Sequence, residues 1–197
     1  EGESISAIKA VKSGGIDPAT GREIFIGKDG RPTFTYDYRD KIVFGDSDPK
    51  VYGILSSYLT YKNIQLNMMF DYKLKATVYN QTLVTRVEGS SPYNNADERV
   101  FKDRWKEVGD QVKYKNIADQ SIPDQTSRFI EDEYTLSLRS LSLAYDFNPS
   151  IYRKLHLSRL RVQLLTNDLF RLSTIKQERG FDYPFARSYQ LSISATF

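Results

Sequence analysis

Side chains able to do covalent or metal chemistry are scarce in this sequence. Its 197 residues include no Cys and a single His, so neither a disulfide framework nor a cysteine-ligated or multi-histidine zinc site can form. His156 sits in the Lys-, Arg- and Leu-rich stretch NPSIYRKLHLS, where nothing supplies the base and orienting partner of a nucleophilic triad. It reads as a turn or surface histidine. Asp46 and Asp48 in GDSDP suggest calcium, but the further ligands, glycine and distal glutamate of an EF-hand loop do not follow. The pair reads as a turn leading into Pro49. Gly14, Gly15, Gly27 and Gly30 fall in turn sequences rather than between a strand and a helix, so they form neither a phosphate loop nor a dinucleotide fingerprint. No catalytic residue, metal or cofactor is expected, and the chain does not read as an enzyme.

What remains is recognition by contact. Phe34, Tyr36, Tyr38, Tyr93 and Trp105 lie in polar stretches, where aromatic rings stack on sugars, meet a partner protein or pack the loops themselves. The stretch Asn95 to Lys106, NADERVFKDRWK, reads as a short helix capped by Asn95, with Val100, Phe101 and Trp105 on one face. Its Arg99, Lys102, Arg104 and Lys106 form either a partner-binding face or a plain solvated one. The net charge of +3 is small and spread along the chain, which gives no case for nucleic acid.

Such loops need a scaffold, and the scaffold is written in alternation. In RSYQLSISATF, residues Arg187, Tyr189, Leu191, Ile193, Ala195 and Phe197 share one face, and Ser188, Gln190, Ser192, Ser194 and Thr196 share the other. Eleven residues extend to roughly 36 Å, and a tilt of about 45° projects that onto the roughly 25 Å apolar band of a membrane β-barrel. A half-buried strand of a soluble sandwich alternates in the same way, so this strand alone does not decide.

Composition bounds the choice. The chain is 27% charged with 14 Tyr and 11 Phe and a mean hydropathy of -0.52, a β-rich profile that suits surfaces with one apolar and one wet side. It has no apolar run of about 18 residues, so a spanning helix is not expected. The opening EGESIS carries neither Met nor a signal peptide and reads as a processed or excised piece.

Taken in order, Ile5 to Val11 is a weak strand ending at Gly14-Gly15. Residues 16–50 form a decorated loop, with a small hairpin from Glu23 to Ile26 and Thr33 to Tyr36 around Lys28-Asp29-Gly30. Val51 to Tyr72 holds two long strands joined by a tight turn at Lys62-Asn63, with Asn63 suited to a left-handed backbone. A polar connection from Lys73 to Glu133 follows, too long for a simple sandwich. Tyr134, Leu136 and Leu138 alternate in one phase and Leu141, Leu143 and Tyr145 in the other, as a β-bulge at Arg139-Ser140 produces. After a compact turn over 148–158, a strand opens at Leu160 and runs to Asn167-Asp168-Leu169-Phe170. A loop with Gly180-Phe181-Asp182-Tyr183-Pro184 then precedes the final strand. Connectors therefore alternate long and short between five or six long antiparallel strands, the asymmetry of an outer-membrane barrel.

Several phrases resemble a known family. GIDPATGREIF, GDSDPKVYG, YKNIQL, the DRW segment, IEDEYTLSLRSLSLAYDF, NDLF, GFDYP and SYQLSISATF are similar, in order and spacing, to the carboxy-terminal part of SusC/RagA-type TonB-dependent transporters. The departures are Ile54, where the family commonly has a second Gly, and Asn167-Asp168-Leu169-Phe170, where it has Asn-Leu-Phe.

The resemblance implies that residues 1–197 are the carboxy-terminal part of a plugged transmembrane β-barrel, with the plug and earlier strands absent. It also implies an outer membrane of a Gram-negative bacterium and import of glycans or peptides, energised by TonB through the missing amino-terminal part. A SusD-like surface lipoprotein would act as a lid over residues 13–50 and 73–133. Phe34, Tyr36, Tyr38, Tyr93 and Trp105 then become candidate contacts to lid or cargo. Tyr189, Leu191, Ile193, Ala195 and Phe197 become the signal read by the barrel-assembly machinery. Such transporters close at about 22 strands, and lipid tolerates no open edge, so the outer strands must pair with further polypeptide. The competing readings are a passive outer-membrane barrel and a soluble β-sandwich carbohydrate-binding module.

Overall fold

The computed structural model describes residues 2–91, 93, 97–119, 121–176 and 187–197. The chain divides into two units, one built chiefly from the segment up to Pro49 and Ala76–Glu133, the other from Lys50–Lys75, Tyr134–Thr174 and the carboxy-terminal strand.

The first unit holds a four-stranded sheet of β1 (Ala7–Ile16), β2 (Glu23–Ile26), β3 (Pro32–Thr33) and β4 (Lys41–Asp46), in the order β3-β2-β1-β4. The hairpin expected around Gly30 is present, with Phe25 opposite Thr33 and Ile26 opposite Pro32. The glycine pair does not end β1 as its sequence suggested. The register slips between Ser13 and Gly15, and Gly15 takes a φ of 94°, so the pair bends the strand instead of breaking it. Packing centres on Leu83, Val84, Val87 and Phe129, with Tyr79 and Tyr114 against them. Three of these lie on a wide helical turn over Leu83–Glu88, which the polar connection did not announce.

The helix expected over 95–106 is a correction. A single tight turn, Glu98–Phe101, is capped by Asp97, whose carboxylate accepts from the Arg99 amide. Asn95 lies outside the described residues. The run cannot continue, because Asp103 is left-handed, with φ 51°, and Arg104 is turned inward to donate to the carbonyls of Val100, Lys115, Val87 and Glu88.

The second unit is a five-stranded antiparallel meander of β5 (Val51–Tyr61), β6 (Ile64–Tyr79), β7 (Ile130–Asp146), β8 (Arg159–Ser173) and β9 (Ser188–Thr196), in sequence order. β6 and β7 run on to Tyr79 and back to Ile130, beyond the ends that alternation marked at Tyr72 and Tyr134. Tyr61 faces Ile64 across the two-residue turn, and Lys62, rather than Asn63, takes the left-handed backbone at φ 51°. Asn63 instead donates its side-chain amide to Asn148 at 2.5 Å. A one-turn helix, α1 (Pro149–Tyr152), and a tight turn over Arg153–Leu155 fill the connector to β8, closed by His156 at φ 57°.

The register of β7 on β8 shifts between Leu138 and Ser140, where the phase of the sequence slips. Leu138 to Ser140 is opposed by the longer stretch Asn167 to Phe170, and Asp168 has a φ of 49°. The irregularity thus involves both strands. The expected strand end at Phe170 moves to Ser173, and the Gly180 to Pro184 phrase lies outside the described residues.

Candidate functional site

Two features of this fold are built for contact, and the first is the pair of faces of the β5–β9 sheet. Residues opposite one another in antiparallel strands point the same way. Leu143, Leu164 and Leu191 therefore form one row, and Tyr145, Val162 and Ile193 the next. Phe70 on β6 reaches Phe170 on β8, ring centroids 6.4 Å apart, on the same side. Tyr72 covers Gly53, where a Cβ would lie 2.7 Å from its hydroxyl, so a ring fills the place of the missing side chain.

This apolar face stays open to the surroundings. Leu55 is 61% exposed, Leu191 66% and Ile193 66%. Soluble monomers rarely leave so continuous an apolar surface uncovered, and an internal sandwich core would bury it. No described helix is long and apolar enough to cross a membrane.

The opposite face carries polar chemistry. Arg161 donates to the Gln65 side chain at 2.7 Å, and Gln163 donates to Ser142 at 2.8 Å. Asp146 receives Arg159 at 3.0 Å and lies 3.7 Å from Arg161. Arg139 and Asp71 approach to 3.5 Å. In β9, Gln190, Ser192, Ser194 and Thr196 are opposite Leu165, Gln163, Arg161 and Arg159.

The second feature is the loop unit, which is held by buried charge. Arg128 lies 2.5 Å from Glu23 and 2.8 Å from Glu88, donates to the Lys113 carbonyl at 2.6 Å, and stacks on the Phe129 ring at 4.8 Å. Burial acts to lower its pKa, but hydrogen bonds to Glu23 and Glu88 outweigh it and hold the guanidinium above its ordinary value. Sequence reading missed this cluster. Its members are 40 and 105 positions apart, and no local pattern links them.

The five loop aromatics divide by role. Trp105 is half-buried, donates its indole N–H to the Pro18 carbonyl at 3.0 Å, and lies over Gly21, whose φ is 68°. Tyr36 meets Phe25 edge to face at 5.6 Å. These two pack the unit. Phe34 remains 44% exposed, with the Arg22 guanidinium 5.1 Å from its ring. Tyr38 is 72% exposed and Tyr93 94%. The turn bearing Tyr38 is fixed by Asp37, which accepts from the Arg39 amide at 2.9 Å and is held at a pKa of about 2, chiefly by hydrogen bonding from the Arg39 side chain. In β9, Tyr189, Leu191, Ile193 and Ala195 share the apolar face opposite Thr166, Leu164, Val162 and Leu160. Phe197 follows the strand, 91% exposed.

The acidic turn behaves as expected, since Asp46 accepts from the Asp48 amide at 3.0 Å and Asp48 from Ser6 at 2.8 Å. Among the described residues no cluster of three or more His, Cys, Asp or Glu side chains could hold a metal.

A long antiparallel meander with one apolar outer face and one polar face, joined alternately by short turns and long loops, is a segment of a transmembrane β-barrel. No family profile matches the sequence. TonB-dependent receptor P3 of Formosa agariphila is 26% identical over 177 residues, which cover 90% of this chain and 16% of that protein. The RagAB peptide importer in its open-open state superposes with a TM-score of 0.76 at 19% identity, over 97% of this chain and 22% of that one. A second structure, of the RagAB peptide transporter, also gives 0.76, at 20% identity, over 97% and 23%. The chain thus spans less than a quarter of the length of each of these proteins. The resemblance to SusC/RagA-type TonB-dependent transporters is borne out over nearly the whole chain, and these relatives are receptors and transporters rather than enzymes.

Proposed function

We propose that the chain is the carboxy-terminal wall of an outer-membrane importer in a Gram-negative bacterium. The observation that carries this reading is the open apolar face of the β5–β9 sheet, backed by a polar one. On this reading Leu191, Ile193 and their row lie against lipid. The side chains of Ser192, Gln163 and Arg161 line the lumen, and residues 13–50 and 73–133 stand outside the cell. The rest of the barrel pairs along β5 and β9, and a plug fills the lumen until TonB displaces it. A SusD-like lipoprotein captures glycans or peptides as a lid, touching loops that display Phe34, Tyr38 and Tyr93. Tyr189, Leu191, Ile193, Ala195 and Phe197 serve the assembly machinery. The peptide cargo of the RagAB importer and the receptor similarity support import; they leave both cargo classes in play.

Single cysteines test the orientation, because this chain has none of its own. In the full-length transporter, Ser192→Cys should react with a water-soluble maleimide, while Leu191→Cys should resist it and respond to a bilayer-confined quencher once labelled in denaturant. Equal aqueous labelling of the two neighbours would overturn the reading. Uptake that survives loss of TonB would instead favour a passive barrel.

A further inference from the structure

Positive charge gathers at the short-turn end of the β5–β9 sheet. The turn at Lys62-Asn63 and the connector 147–158 meet there, since Asn63 donates its side-chain amide to Asn148 at 2.5 Å and its carbonyl accepts from the Asp146 amide at 2.9 Å. The end of β9 joins them through the Ser158 amide, which donates to the Thr196 carbonyl at 2.6 Å. Neither connector contains an Asp or Glu, whereas together they carry Lys62, Arg153 and Lys154, all exposed. Asp146 is the acidic side chain at this end, and Arg159 and Arg161 already hold it on the polar face, at 3.0 and 3.7 Å. Asp71 and Asp168 lie farther along β6 and β8, and the acids that open β7 stand at the far end of that strand. Among the described residues no carboxylate pairs with Lys62, Arg153 or Lys154. A carboxylate at Phe197 would offset one of the three.

Aromatic rings border this rim on its apolar side. Tyr61 is opposite Ile64 and in step with Leu55, which is opposite Phe70, so its ring lies on the apolar face, 69% exposed. Tyr145 shares that face, and Phe147 meets it edge to face at 4.9 Å. The Lys62 ammonium lies 5.4 Å from the centre of the Tyr61 ring, which sets one cation at the margin of the surface that the proposed orientation turns to lipid. Rings with one apolar and one wet side settle at the depth of lipid headgroups, and Lys and Arg clustered there draw anionic lipid in preference to zwitterionic. We infer that this rim is a docking site for an anionic phospholipid of the leaflet on the short-turn side, its phosphate held beside Lys62 with Arg153 and Lys154 adding charge around it. The inference rests on the proposed orientation of the apolar face towards lipid. A soluble acidic partner would meet the same charges, but it makes no use of the rings and the apolar face that continue from them.

The test uses the full-length transporter in nanodiscs of phosphatidylcholine, doped with one of two photoreactive lipids that differ only in headgroup, phosphatidylglycerol or phosphatidylcholine. Adducts are mapped by peptide mass spectrometry. At low salt the glycerol lipid should label residues 58–64 and 145–158 at least about tenfold more than the choline lipid, since one Lys or Arg beside anionic lipid is worth about fivefold and three act together. Lys62→Asn, a residue that suits the left-handed turn, should lower that excess about fivefold, whereas Lys62→Arg should keep it. The triple variant Lys62→Asn, Arg153→Gln, Lys154→Gln should bring the two lipids level. Labelling by the choline lipid should not change in any variant, and the wild-type excess should fall as salt rises. Equal labelling by the two lipids in the wild type overturns the inference, as does an excess that survives the triple variant. Loss of the excess on adding glycerophosphate at the concentration of the lipid also overturns it, because the site would then serve a soluble anion. Should the triple variant fail to assemble, the wild-type comparison and its salt dependence still decide. Failure of the underlying reading looks different: neither lipid labels residues 58–64 or Leu191.

Discussion

Replacing Arg128 by leucine should loosen the loop unit while the β5–β9 sheet holds. The guanidinium lies 2.5 Å from Glu23 and 2.8 Å from Glu88, whose side chains are 8% and 0% exposed. Without it, two carboxylates remain in a site with little water. Removing one partner of a buried ion pair costs about 3–5 kcal/mol, because the other charge is left uncompensated. At about 1.4 kcal/mol per decade, that is a hundred- to several-thousand-fold rise in the population of opened loop.

Hydrogen exchange read by mass spectrometry on the full-length protein resolves the change. The amide of Asn80, bonded to the Phe129 carbonyl at 2.7 Å, and that of Val11, bonded to Gln125 at 3.1 Å, should exchange faster by that factor. Amides of β8 paired with β9 should not change. The triple variant Arg128→Leu, Glu23→Leu, Glu88→Leu should recover most of the protection, since an apolar replacement of a whole buried ionic cluster is often neutral or stabilising. Exchange at Asn80 within about threefold of wild type in the single variant, against the hundredfold floor, would refute the buttress argument.

The remaining predictions concern other contacts. Gly21→Ala should cost about 2–4 kcal/mol, from a left-handed backbone and a crowded ring. The new Cβ would lie 2.6 Å from Trp105, and native-state proteolysis of the loops reads the loss. Leu191→Arg should destabilise the assembled barrel by about 2–4 kcal/mol near the bilayer midplane while Ser192→Arg costs little, a contrast measured by urea unfolding in lipid vesicles. Deleting Phe197 should lower the amount of protein in the outer membrane; normal levels on immunoblot would remove its role as an assembly signal.

The sheet was legible in the sequence because its physics is local. Alternation in Ile64 to Tyr72 and Tyr189 to Phe197 marks which side chains share a face, and the change of phase between Leu138 and Leu141 marks where the register shifts. The ends of β6 and β7 were hidden because their extensions near Ala76 and Ile130 lose the two-residue period, with Lys75 left-handed at φ 58°. Asn95 to Lys106 imitated a helix through its spacing of apolar residues. What decides that segment is Arg104, drawn inward by four carbonyl groups, of which only that of Val100 is near it in sequence; those of Lys115, Val87 and Glu88 are 11, 17 and 16 positions away. Likewise the loop aromatics were legible as a set. Their division into packed Trp105 and Tyr36 and exposed Tyr38 and Tyr93 depends on Gly21, Pro18 and Phe25, which are remote or unremarked in the chain.

That division has an evolutionary consequence. Arg128, Glu23, Glu88, Trp105 and Gly21 keep the loops in shape, and Phe34, Tyr38 and Tyr93 contribute little to that task. A lineage can therefore replace the displayed rings without first acquiring compensating stability. Selection on what the loops display and selection on folding would then act on separate residues, so related chains should diverge quickly at the displayed positions and slowly at the buttress.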